Sequence, residues 1–251
     1  MNNDFVSHSF GLGGSPIEMF QDAPAPNEIK LTGDVSGTGY AERTSECNTW
    51  LPYAAKEYEI SSDIRDYVLV PTVGLISGIP NTNGDSVVLK ELLRFNPEHG
   101  KMAYKTLVGK PTFYEHDNQN IKAAKGIILD AFLRPLKRFG NNKYYKLVIL
   151  TAYDKTKDPM LVNSVLNGEN NAYSVGYYFK SYACSICGAT VGQEGGQPCS
   201  HTFPRKPTYK LTDGRLVYRE CSNIVFFENS IVGSPAYVSN VSNILMQPSM
   251  L

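Results

Sequence analysis

Two constellations in this chain have residue types and spacings that could do chemistry. The first is Cys184-Ser185-Ile186-Cys187-Gly188, followed after a short glycine-rich stretch by Cys199-Ser200-His201. Two thiolates separated by two residues grip one side of a tetrahedral ion, and a Cys-x-His pair closes the other. Gly188, Gly192, Gly195 and Gly196 let the connecting loop fold back. The spacing predicts a structural zinc site on Cys184, Cys187, Cys199 and His201, closed to substrate because four protein ligands leave no open position. The plainer alternative is a reduced, exposed Cys-x-x-Cys with an unrelated His nearby. A redox role fits less well, because the pair does not open a helix in a βαβ context. Cys47 and Cys221 are left over and read as small buried hydrophobes.

The second constellation is spread along the chain. Of the four His, His8 lies in an irregular N-terminal stretch, His99 in a helix-ending turn and His201 in the metal motif. That leaves His116, at the end of a strand in Tyr114-Glu115-His116-Asp117-Asn118. Ser174 sits in the strand Tyr173-Ser174-Val175-Gly176-Tyr177, and Glu228 in the apolar strand Phe226-Phe227-Glu228-Asn229-Ser230. Base, nucleophile and orienting acid are the three groups a hydrolytic triad needs. Residue chemistry permits this triad without selecting it. A strand-end His is more often structural, Ser174 lacks the nucleophile-elbow pattern, and Glu228 is a surface charge unless it is buried and partnered.

The elements that must position these groups read as mostly sheet. Hydrophobic residues at 42% and charged residues at 19% are enough for a packed core in a chain of 251 residues. Sixteen Tyr with many Val, Ile, Gly and Pro lean toward strands and turns. Strands are expected at Asp66–Ile79 (broken by Pro71 and Gly74), Pro111–His116, Gly126–Phe132, Lys143–Tyr153, Ala172–Tyr182, Arg215–Tyr218 and Ile224–Val232. A turn at Gly140-Asn141-Asn142 joins two of them. The apolar spacing of Val88, Leu89, Leu92, Leu93 and Phe95 predicts an amphipathic helix over Asp85–Asn96. Asp158-Pro159 predicts an N-cap and first helical residue, with Leu161, Val162, Val165 and Leu166 buried and Gly168 as the stop. The expected class is α+β, mainly antiparallel β. Residues 1–63 form an N-terminal extension, 64–240 the main domain with an insert at 183–205, and 241–251 a tail.

Lys plus Arg equals Asp plus Glu, at 24 each. The chain therefore has no global basic field, which argues against a general nucleic-acid binder. No apolar run approaches the length of a bilayer span, and the N-terminus reads as no secretory signal. A cytoplasmic protein with reduced thiols is expected.

The order of these motifs resembles the capsid-maturation (prohead) proteases of tailed bacteriophages, relatives of the herpesvirus maturation proteases. The resemblance rests on His116-Asp117 followed by Gly126-Ile127-Ile128 and on Ser174-Val175-Gly176-Tyr177 after Gly168. Glu228-Asn229-Ser230-Ile231-Val232-Gly233-Ser234-Pro235-Ala236, the loop Asn81-Thr82-Asn83-Gly84 and the cysteine insert complete it. It spans roughly residues 64–240. It implies a herpesvirus-protease-like β-barrel, with Ser174 as nucleophile, His116 as general base and Glu228 as the acid that orients the imidazole. Asp117 is the competing acid. The oxyanion hole would be backbone N–H groups, with Gly176 the one candidate. It also implies a serine endopeptidase that cleaves phage scaffold and major capsid protein, and itself, inside the procapsid in the host cytoplasm. Self-association is compatible with it. The alternatives are a non-catalytic zinc-stapled β-domain in a capsid or core, and a zinc module contacting nucleic acid.

Overall fold

Hydrogen bonding between distant strands, more than local helix, organises the chain. The computed structural model describes residues 5–7, 51–136, 144–234 and 236. One sheet has the order β2 (Tyr67–Ile76), β8 (Tyr145–Asp154), β7 (Gly126–Pro135) and β6 (Pro111–Thr112), all antiparallel. The other runs β1 (Phe5–Ser7), β9 (Tyr173–Cys184), β13 (Arg219–Ile231) and β3 (Asp85–Ser86), with β10 (Thr190–Val191) also on β9. Among the strands of the described residues β3 pairs in parallel, with β13, and Tyr114 makes an isolated parallel bridge to Ile231. Two small ladders are added, β4 (Phe95–Asn96) with β5 (Lys101–Met102), and β11 (Tyr209–Lys210) with β12 (Leu216–Val217). The result is mainly antiparallel β with a few short helices.

The sheets curl toward each other along two seams. At one, Ile231 donates its N–H to Phe113 O (3.0 Å) and accepts from Glu115 N–H (2.8 Å). Beside it, Thr112 Oγ1 donates to Asn229 O, and Asn229 Nδ2 reaches Thr72 Oγ1 at 3.1 Å. At the other, Gly74 lies so close to β9 that a Cβ there would sit 2.8 Å from Val175 Cγ1. Between the seams, Leu75, Ile128, Leu147 and Ile149 meet Val175, Tyr177, Phe179 and Phe226 in one buried cluster. A sheet flat enough to expose both faces could not bury side chains from both strand sets at once.

Several expected elements hold, and others move. Of the two breaks expected in the first strand, Pro71 makes none, since β2 runs through it, while Gly74 marks a shift of register within the strand. The helix expected over Asp85–Asn96 is instead β3, the single turn α2 (Leu89–Leu92) and β4. Periodicity loses there to tertiary pairing. Asp85 is buried against Arg219 and Arg205, which holds residues 85–86 extended on β13. Val88 is extended as well, and Leu93 and Phe95 are exposed. The strand expected through His116 is ordered as a ladder only over Pro111–Thr112. Residues 51–58, grouped by sequence with the extension, form helix α1; Ala54, Ala55 and Tyr58 pack on Phe113, Ile127 and Ala152. The Gly140-Asn141-Asn142 turn, His8 and Cys47 lie outside the described residues.

Helix α3 (Pro159–Leu166) begins as its sequence dictates. Asp158 accepts from Leu161 N–H at 3.0 Å with Pro159 in the first turn, and Gly168, at φ +75°, follows the helix end. Leu161, Val162 and Val165 are buried, whereas Leu166 is exposed, one position beyond the buried stripe. Asp158→Ala should therefore lower the unfolding free energy by about 1 kcal/mol in a urea titration, the ordinary value of a lost side-chain cap. A midpoint unchanged from wild type would mean the cap is energetically idle.

Candidate active site and metal centre

His116 reaches its position through an unusual turn. Asp117 donates its N–H to Tyr114 O (3.0 Å), and both central residues have positive φ, 52° for Glu115 and 55° for His116. A four-residue turn with left-handed backbone at both centres is a type I′ turn, normally given to Asn and Gly. Holding two larger residues there costs of order 1 kcal/mol each. Two anchors stabilise it: the Glu115 N–H bond to Ile231 O, and Gly233 N–H donating to Glu115 Oε1 at 2.7 Å.

The turn drives the imidazole against β13. His116 Nδ1 lies 2.6 Å from Glu228 Oε1, and both side chains are buried, 7% and 0% exposed. A carboxylate only accepts, so the ring donates from Nδ1, and the neutral tautomer carries its lone pair on Nε2. Glu228 has further donors: Asn118 Nδ2 at 3.1 Å on Oε1, and Ser230 Oγ at 2.7 Å on Oε2. Glu228, not Asp117, is the acid on this imidazole.

Glu228 needs space as well as donors. The β9–β13 register shifts between Phe226 and Glu228, and the Glu228 carboxylate stem then lies over Gly176. A Cβ at Gly176 would sit 2.8 Å from Glu228 Cγ and 2.6 Å from Phe227 Cζ. Ser174 stands directly opposite Ser230, while Glu228 stands opposite Gly176. Directly paired residues point to the same face of a sheet, and so do residues two apart. Ser174, Ser230 and Glu228 therefore share one face, away from the core face of Val175 and Tyr177. Ser174 is itself buried, 3% exposed. Sequence reasoning missed Asn118 and Ser230 as partners of Glu228. Ser230 was legible in principle, two residues along the same strand; Asn118 was not.

Cys184, Cys187, Cys199 and His201 converge as their spacing predicts, with one ligand atom from each within 4.8 Å of all the others. The residues fit a metal ion. His201 Nδ1 is buried with no hydrogen-bond partner, a lone pair that an ion would satisfy. The loops turn as thiolate knuckles do: Ile186 N–H points at Cys184 Sγ (3.4 Å), Gly188 N–H bonds Cys184 O, and Thr202 and Phe203 N–H bond Cys199 O. Burial raises the Cys199 pKa, but hydrogen bonds from Thr202 and from the Cys187 and Cys184 thiols outweigh it and bring Cys199 to about 6. Burial pushes Cys184 up. Four protein ligands leave no position for substrate, so the centre can staple the insert but not catalyse. Cys221 is fully buried, as expected of a leftover Cys.

No protein-family model, curated protein or solved structure matches the chain. Among the described residues, no helix is long and apolar enough to cross a membrane.

Two outcomes follow from these geometries. Gly176→Ala should cost about 1–3 kcal/mol in a urea titration, since the added methyl has no room, and should break the His116–Glu228 contact in a crystal structure of the variant. A variant with wild-type stability and an intact contact would contradict the cradle. In metal-stripped protein at pH 7, iodoacetamide should modify Cys199 before Cys184, because only thiolate reacts. One equivalent of metal should protect both. Alkylation unchanged by metal would show that the four residues do not act as one site.

Proposed function

We propose that the chain is a serine endopeptidase of the prohead-protease type, with Ser174 as nucleophile, His116 as base and Glu228 as the orienting acid. The observation that carries this reading is the buried Glu228 carboxylate on His116 Nδ1 at 2.6 Å, on the sheet face that also bears Ser174. A structural His rarely needs a strained turn, a dedicated carboxylate and a glycine cradle together. In the proposed reaction Ser174 Oγ attacks the scissile carbonyl and its proton passes to His116 Nε2. That proton then goes to the leaving amine, and an acyl-enzyme forms. Water repeats the sequence and releases the acid. Glu228 holds the ring in the tautomer that both steps require and stabilises the imidazolium.

The motif order supports a herpesvirus-protease-like barrel, and phage scaffold and major capsid protein as substrates within a procapsid. Zinc suits a closed site of three thiolates and one imidazole better than other common ions do. The cysteine centre also favours a second reading, a non-catalytic β-domain stapled by zinc, since neither the staple nor a buried Ser requires activity.

An alkylphosphonate probe separates the two. It should label wild type at Ser174 and fail with Ser174→Ala, His116→Ala and, more weakly, Glu228→Gln. Ser174→Ala should change stability by about 1 kcal/mol while abolishing cleavage of co-expressed scaffold and capsid protein, read by mass measurement of their termini. If the Ala variant cuts those proteins as wild type does, Ser174 is not the nucleophile. Wild type that neither labels nor cuts, even in assembled procapsids, would favour the structural domain.

A further inference from the structure

The outer edge of β9 carries a guest strand from the far end of the chain. Phe5, Val6 and Ser7 pair antiparallel with Phe179, Tyr178 and Tyr177. A three-residue edge strand is marginal by itself, since it adds few backbone bonds. It lies far from its partner in sequence, and β9 is the strand that carries Ser174. An exposed edge of this kind recruits any extended peptide through main-chain hydrogen bonds.

Direction and register add to this. β1 runs antiparallel to β9, so each further residue steps back along β9, from Tyr177 toward Ser174. A peptide laid on the edge in the same register and direction brings its third residue beyond the Tyr177 position opposite Ser174. The site below is closed: Ser174 is 3% exposed and the His116 side chain 7%. We propose that the β9 edge at Tyr177–Phe179 is a docking site for an extended peptide, and that the chain's own Phe5–Ser7 strand is its resident competitor. The N-terminal strand then acts as a built-in, displaceable blocker. This rests on the reading of Ser174 as nucleophile in one respect only: the docking peptide is then substrate, held by its acyl-side residues.

A tethered competitor acts at an effective concentration of about 1 mM, so undocking it should expose the edge to peptides supplied in solution. The probe is a fluorescent peptide with the sequence of residues 2–10, titrated by anisotropy into the full chain and into a full-length variant carrying Phe5→Pro, Val6→Pro and Ser7→Pro. Proline removes the amide donors of the resident strand without shortening the chain. An unfolding midpoint near that of wild type shows that the body is intact. The variant should bind the probe at least tenfold more tightly than wild type, and hydrogen exchange at residues 177–179 should be faster in the variant and slow again on adding probe. Alternate amides of an antiparallel strand face its partner. Of two further probes, N-methylated at Val6 or at both Phe5 and Ser7, one should therefore lose binding and the other keep it. Equal affinity for variant and wild type, no binding to either, or equal binding of both methylated probes would overturn the proposal. The readout is binding alone, so failure of Ser174 to react with phosphonate would remove the protease reading and leave the docking edge standing.

Discussion

A carboxylate buried completely inside a sheet protein must be surrounded by donors, and Glu228 imposes that requirement on everything near it. Left unpaired, such a group costs several kcal/mol. Three side chains meet the need: His116, Asn118 and Ser230. Each has a structural consequence. His116 and Asn118 are delivered by a turn that bends through two left-handed residues. Ser230 lies on the same strand face as Glu228, two residues on. Gly176 leaves the space the Glu228 stem occupies. The seam between the two sheets, at Phe113–Glu115 and Ile231, brings turn and carboxylate together, so fold and site depend on the same few bonds.

A second buried carboxylate organises the opposite end of β13. Asp85, fully buried, meets Arg219 and Arg205, and the Arg219 guanidinium stacks between Phe179 and Tyr182 at 5.5 and 5.4 Å. Around it the loop 81–84 is tied to the segment that leaves the cysteine insert: Thr208 Oγ1 donates to Asn81 O at 2.6 Å and its N–H to Thr82 O. Thr82 N–H in turn reaches Ala236 O at 2.9 Å, just past the strand that carries Glu228. Through Arg205 on Asp85 and the segment that follows it, the cysteine insert is secured to the body rather than hanging from two chain crossings. Four ligand groups that could close around an ion, with no position left for substrate, suit that placement.

What could be read from residues alone was what depends on neighbours in sequence. The Asp158-Pro159 cap, the Gly168 stop, the long strands and the Cys-x-x-Cys with Cys-x-His spacing are all local. Each is decided within a few residues by backbone sterics, by capping bonds or by the reach of two side chains around one ion. The helix expected over 85–96 fails for the complementary reason. Its apolar period is genuine, but an ion pair to residues more than a hundred positions away holds Asp85 extended.

The candidate triad divides along the same line. From the sequence came the identities of His116, Ser174 and Glu228, and the strands that carry two of them. Tertiary structure decided that Glu228 rather than Asp117 meets the imidazole, that Asn118 and Ser230 complete its shell, and that Gly176 makes room for it. It also decided that an N-terminal strand lies along β9. These are contacts between segments up to about 170 residues apart in the chain. No local pattern encodes them, because sheet register is set by the joint packing of both faces and not by either strand alone.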